Sequence, residues 1–286
     1  MAHVTRRRVL TGLGATVAAV LAPPAGSAFA DGRKRGPRPL WRAHAHNDYE
    51  HPRPLLDALD HRFGSVEADI FLVDGELLIA HSADQLDPTR TLESLYLAPL
   101  AARVKANRGS VYRGYRQPLQ LLIDIKTEGS STYLELDRQL GRHKGLFTTF
   151  AHGRVHPGAV TAVISGDRAA RTPMEAQTVR RAFYDGRLAD LGTSESSFAS
   201  LISDNWTLNF TWPGVGAFPE AERQKLRSIV GAAHARGQQV RFWATPDLAG
   251  PARDALWAEL LAAGVDYLNT DDLAGLEAFL DAHRTA

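Results

Sequence analysis

Short apolar runs alternate with helix-like segments from residue 39 almost to the end of the chain, and this alternation limits the fold more than any other feature. Segments 40–45, 65–70, 119–125, 160–165, 201–203, 240–244 and 265–268 read as strands. Segments 52–63, 92–107, 173–184, 220–236, 252–263 and 273–283 read as helices; in the first, Leu55, Leu56 and Leu59 recur at helical spacing. Gly237 and Gly264 follow two of these helices, where a left-handed cap is wanted. Residues 71–80 read as a hairpin turning at Asp74-Gly75, and 185–200 carries no period of either kind. Apolar strands separated by helices imply a parallel sheet covered on both faces. Roughly eight such units in about 250 residues point to an α/β chain closed as a (β/α)8 TIM-type barrel, a single domain over residues 39–286. An open doubly wound sheet is disfavoured, because no Gly-rich phosphate loop follows the first strand.

The 286 residues are 44% hydrophobic, enough for one large core. There is no cysteine, which excludes disulfides, thiolate metal sites and a cysteine nucleophile. Net charge is +1, but residues 1–30 hold Arg6, Arg7 and Arg8 and no acid; without those three cations the body stands at −2. A slightly acidic body lacks the footprint of a nucleic-acid binder. The N-terminal stretch reads as an export address. Thr5-Arg6-Arg7-Arg8-Val9-Leu10 has a twin-arginine form, an apolar run follows from Leu10 to Leu21, and Ala28-Phe29-Ala30 fits a cleavage site before Asp31. Residues 31–38 read as a flexible lead-in. The apolar run is too short for a comfortable membrane span. The expectation is a secreted protein, monomeric, with no stable membrane span.

Chemistry in a parallel barrel gathers where the strands end. The first strand ends in His44-Ala45-His46-Asn47-Asp48-Tyr49. The second contains Glu67-Ala68-Asp69, and alternation places both carboxylates on one face. His81 directly follows Leu-Leu-Ile-Ala, and Asp124 and Lys126 share a face of the next apolar strand. Trp243 and Asn269 stand at the last strand ends. Each has an ordinary structural reading as a core hydrogen bond or a salt bridge. Together they are harder to explain that way, because unpaired carboxylates in buried strands are costly. Three carboxylates are hard oxygen ligands suited to Mg2+ or Ca2+. With two histidines for proton transfer and a lysine for the phosphate, the set can cleave a phosphodiester.

These residues resemble the phospholipase C-like phosphodiesterases: glycerophosphodiester phosphodiesterases, phosphatidylinositol-specific phospholipases C and sphingomyelinases D. The likeness runs in order from His44 to Asp271. It implies His46 and His81 as the catalytic pair, and Glu67, Asp69 and Asp124, with Asn47, as metal ligands. It also implies Lys126, His44, Trp243 and Asn269 as substrate-binding residues. The substrate implied is a small phosphodiester or a phospholipid. Glycerophosphodiesterases begin His-Arg-Gly, where this chain has His46-Asn47-Asp48, so the phosphate-gripping arginine is absent there; Asp124 stands where they have Glu. The sequence is nearest the subgroup of the altered inheritance of mitochondria proteins. That subgroup shares the His-Ala-His-Asn-Asp start, Ile-Ser-Gly at 164–166, Phe-Tyr-Asp-Gly-Arg at 183–187 and Ser-Asp-Asn at 203–205.

Two other readings compete. His44-x-His46 is how amidohydrolase-type barrels begin a zinc site, but His152, His156 and His234 end no strong apolar strand and Glu67-x-Asp69 has no role there. A non-catalytic barrel could bind a lipid head group or sugar on Trp206, Trp212, Tyr184 and Phe210, whose ordinary reading is core packing.

Overall fold

The computed structural model describes residues 35–283; the proposed export signal and residues 31–34 of the lead-in lie outside them. Twelve strands run in chain order: β1 (Leu40–Ala45), β2 (Phe63–Val73), β3 (Glu76–Ile79), β4 (Leu119–Ile125), β5 (Thr149–Ala151), β6 (Arg154–His156), β7 (Val160–Gly166), β8 (Val179–Arg180), β9 (Ala182–Gly186), β10 (Leu201–Asn205), β11 (Gln239–Trp243) and β12 (Leu268–Thr270). The helices are α1 (Leu56–Asp60), α2 (Ala98–Ala106), α3 (Gly129–Leu140), α4 (Arg171–Glu175), α5 (Trp206–Asn209), α6 (Glu220–His234), α7 (Pro251–Ala263) and α8 (Leu273–Ala282).

Eight parallel strands pair in the order β11-β10-β9-β7-β4-β2-β1-β12. The ends of that row meet through a parallel bridge between Arg241 and Tyr267, with the Tyr267 amide donating to the Val240 carbonyl at 3.2 Å. The sheet therefore closes as a barrel, as the alternation of runs implies. The hairpin forms as read, with Val73 opposite Glu76. β5, β6 and β8 make a separate small antiparallel sheet.

Alternation divides the strand residues between two cores. Ala45, Val66, Ala68, Leu121, Ile123, Ile164 and Val240 belong to the large outer cluster beneath the helices. Leu122, Val163, Phe183, Leu201 and Tyr267 form a small apolar plug inside the barrel. Each such side chain contributes about 1.5–3 kcal/mol when fully buried, so the plug is a floor on which polar residues nearer the strand ends can rest.

Several elements differ from the sequence reading, among them the 265–268 strand, which forms over Leu268–Thr270. Segment 173–184, read as a helix, holds the short α4, then β8 and most of β9. Helix-forming residues from Met174 to Gln177 hide an apolar run, Ala182-Phe183-Tyr184, that fills the fifth place in the barrel. Segment 52–63 is helical only over Leu56–Asp60, because Leu55 turns the chain at φ 64. Its amide is held by buried Asp48 Oδ2 at 2.6 Å. The helix α3 has no counterpart in the reading; Glu128 caps it by accepting from the Ser130 and Ser131 amides. Gly264 caps α7 at φ 86, the left-handed geometry expected there.

Candidate active site

The carboxylates meet because of register. β2 and β4 pair so that Asp69 lies beside Asp124, with Glu67 two residues below on the same face. Oxygens of Glu67, Asp69 and Asp124 come within 4.8 Å of one another. Gly166 ends β7 at φ 81, and a Cβ there would stand 2.3 Å from Asp124 Oδ1; only glycine lets the neighbouring strand pass. Lys126 Nζ lies 3.0 Å from Asp69 Oδ2 and 3.6 Å from Asp124 Oδ1. Burial, with Glu67 close by, pushes the Asp69 carboxyl up to about 6. Burial also raises Asp124, against the pull of Lys126. Asp69 Oδ1 is buried and has no hydrogen-bond partner among the described residues. An all-oxygen donor set with an unsatisfied buried oxygen fits a hard cation, which would relieve both the repulsion and the missing bond.

Beneath this cluster lies a buried support. Arg241 Nη1 reaches His44 Nε2 at 2.5 Å, Glu67 Oε2 at 3.1 Å and Asn269 Oδ1 at 3.2 Å. A guanidinium only donates, so His44 Nε2 accepts. The imidazole proton therefore sits on Nδ1, which donates to Ser65 Oγ at 2.7 Å. Burial and the Arg241 charge push His44 down to about 4, so it is neutral near pH 7. Burial opposes the charge on Glu67, but the Arg241 guanidinium 3.1 Å from Oε2 outweighs it and holds the carboxyl well below the usual range. His44 and Asn269, expected to touch substrate, are instead buried below the mouth. A cation on His44 Nε2 also blocks its use as a zinc ligand, which removes the amidohydrolase pairing of His44 with His46.

The other two histidines stand at the rim. His46 Nδ1 lies 2.7 Å from Asp271 Oδ1. The carboxylate can only accept, so Nδ1 carries the proton and Nε2 is left as the working atom. Burial would lower His46, but the Asp271 bond and nearby Glu67 carry it above its ordinary value. Asn47 Nδ2 also approaches Asp271 Oδ1, at 3.4 Å, and Asn47 Oδ1 accepts from Tyr49 at 2.8 Å. The Tyr49 hydroxyl lies 2.6 Å from Asp69 Oδ2 and 3.0 Å from His81 Nδ1. Burial, then Asp69, raises the phenol far above its usual range, so Tyr49 keeps its proton and ties His81 to the cluster. His81 itself is the open member, with 54% of its side chain exposed. Beside it a cavity of about 600 Å³ is lined by Glu50, His51, Gln85 and Arg90. Trp243 ends β11 in register with Asn205 and is half-buried.

Tyr49, Asp271 and Arg241 are the residues that sequence reasoning did not place in the site. Arg241 had a signal: a lone charge inside Val-Arg-Phe-Trp, on an inward-facing position. The aromatic residues Trp206, Phe210, Trp212 and Tyr184 are buried. Trp206 and Phe210 stack at 4.1 Å as core packing.

A closed parallel barrel with a carboxylate cluster and two histidines at its mouth is that of the phospholipase C-like and glycerophosphodiester phosphodiesterase superfamily. Residues 38–185 match the AIM6-like phosphodiesterase domain, and residues 239–274 match the glycerophosphoryl diester phosphodiesterase family. The chain belongs to the AIM6-like phosphodiesterase domain family. It is 30% identical over 278 residues to altered inheritance of mitochondria protein 6 of Eremothecium gossypii, covering 84% of this chain and 69% of that one. It is 29% identical over 268 residues to the altered inheritance of mitochondria protein 6 homolog of Arthroderma benhamiae, covering 82% of each. Among solved structures, the phosphatidylinositol-specific phospholipase C from Listeria monocytogenes superposes with a TM-score of 0.47 at 10% identity, over 80% of this chain and 81% of that one.

Proposed function

We propose that this chain is a secreted, metal-dependent phosphodiesterase that cleaves a glycerophosphodiester or phospholipid-type diester with Mg2+ or Ca2+ at Glu67, Asp69 and Asp124. The observation that carries the reading is the unsatisfied Asp69 Oδ1 inside a three-carboxylate cluster, next to Lys126 and between two rim histidines. A divalent cation held there would supply charge neutralisation at a phosphate oxygen. Lys126 adds a fixed positive charge for the same phosphate. His46, with its proton on Nδ1 held by Asp271, offers Nε2 as the base toward water or a hydroxyl of the substrate; Asp271 then steadies the imidazolium. His81 donates to the leaving oxygen, and Tyr49 fixes its ring through Nδ1. The cavity beside His81 is lined by charged and amide side chains, which favours a polar leaving group. Attack by a substrate hydroxyl would give a cyclic phosphate, and attack by water a monoester. The twin-arginine start supports export, which changing Arg6, Arg7 and Arg8 to lysine would block.

The test is turnover of glycerophosphocholine and lysophosphatidylcholine with Mg2+, with Ca2+ and with EDTA. The expected result is metal-dependent turnover that His81→Ala lowers by roughly 10²–10⁴-fold, the usual worth of a positioned proton donor. Near-normal turnover by a folded His81→Ala protein would overturn the assignment.

A further inference from the structure

The far side of the mouth carries a second polar assembly that this reaction leaves unused. Asp185, near the end of β9, is fully buried. Its Oδ2 accepts from Ser165 on β7 at 2.8 Å, from Ser203 on β10 at 2.7 Å and from Arg187 Nη1 at 2.8 Å. Three adjacent strands thus orient one guanidinium. Burying a carboxylate this deeply is costly, and a surface ion pair would not require it.

The guanidinium is only partly used. Nη2 reaches only Ser165 Oγ, at 3.3 Å, and Nε makes no hydrogen bond among the described residues. The Nε–Nη2 edge is the one that takes a phosphate side-on with two parallel bonds, and 27% of the side chain stays open. Its position is set by register: Ser165, which touches Nη2, is the direct partner of Asp124 in the carboxylate cluster. In the closed ring of eight strands, β9 lies opposite β1, so Arg187 faces the His46 side across the mouth. His46 is followed by Asn47, so the position next to that rim histidine offers phosphate no cation.

We propose that Arg187 is the phosphate anchor of this site, binding the anionic oxygens side-on while Asp185, Ser165 and Ser203 hold it in place. The proposal rests on the phosphodiesterase reading for its substrate, but phosphate binding can be measured without turnover. Calorimetry of the protein with Mg2+ and inorganic phosphate is the experiment. Arg187→Ala and Arg187→Lys should each weaken phosphate binding at least about tenfold with Mg2+ affinity unchanged, and Arg187→Lys should keep the melting curve of the parent protein. Arg187→Lys keeps a cation on buried Asp185 and so guards against misfolding. Millimolar guanidinium should restore part of the affinity of Arg187→Ala. Binding by either variant as tight as that of the parent protein, or no phosphate binding by the parent protein, would overturn the proposal. A parent protein that binds phosphate through Arg187 yet cleaves no diester would defeat the phosphodiesterase reading alone.

Discussion

The two halves of the barrel mouth are built on different rules. On β1, β2 and β4 the polar groups are carried by positions two apart along the chain: His44 on β1 and His46 just past it, Glu67 and Asp69 on β2, Asp124 on β4 and Lys126 just past it. That half holds like charges together and leaves Asp69 Oδ1 unsatisfied. On β7, β9 and β10 each strand supplies one or two polar groups, and they satisfy one another across strands around Asp185 Oδ2. In the first half Lys126 and Arg241 offset part of the negative charge and one buried oxygen is left for a further cation; the second is assembled in advance. A catalytic site needs both kinds, one to respond to a ligand and one to fix its geometry.

The comparison breaks most sharply at Glu67. Glu67→Gln removes a ligand charge and leaves Arg241 without its carboxylate. We expect a loss of about 10²–10³-fold in turnover and weaker Mg2+ binding, measured by steady-state kinetics and calorimetry. Asp271→Asn comes next. Asp271 raises His46, and His46 works as a base in its neutral form. Removing the carboxylate should lower turnover roughly 10–100-fold and move the acidic limb of the pH–rate profile to lower pH; an unmoved limb would contradict the His46–Asp271 pairing.

On the satisfied side the effects should be smaller. Ser203→Ala removes one hydrogen bond from Asp185, worth about 1 kcal/mol, and should raise KM severalfold with kcat nearly constant. The smallest effect lies outside catalysis. Burial pushes Asp48 up to about 7, against the bonds from Leu55 and Tyr96. A carboxyl raised in the folded state favours folding at low pH and loses that contribution as pH rises through about 7. Asp48→Asn should therefore flatten the fall in melting temperature between pH 4 and 8; an unchanged slope would show that Asp48 is not its source.

The same contrast decides what could be read from the sequence. β1 and β4 have the bounds expected of them, since Leu119–Ile125 is one apolar run. Glu67, Asp69, Asp124 and Lys126 were legible because i, i+2 spacing is a property of a single strand. Asp271 was not, because its partner His46 lies 225 residues away. β9 was hidden by flanking helix formers and by Arg180 and Arg181. Arg180 is buried, stacked 4.8 Å from the Phe150 ring, and hydropathy alone gives an arginine no inward place. The network around Asp185 exists only once β7, β9 and β10 are neighbours, so no local pattern announces it.

The most direct measurement is ³¹P NMR of the purified protein with a panel of glycerophosphodiesters and lysophospholipids, with Mg2+ or Ca2+ and then with EDTA. The account predicts a new monoester or cyclic-phosphate resonance that EDTA abolishes. Diester cleavage that persists with EDTA and with Glu67→Gln would contradict it.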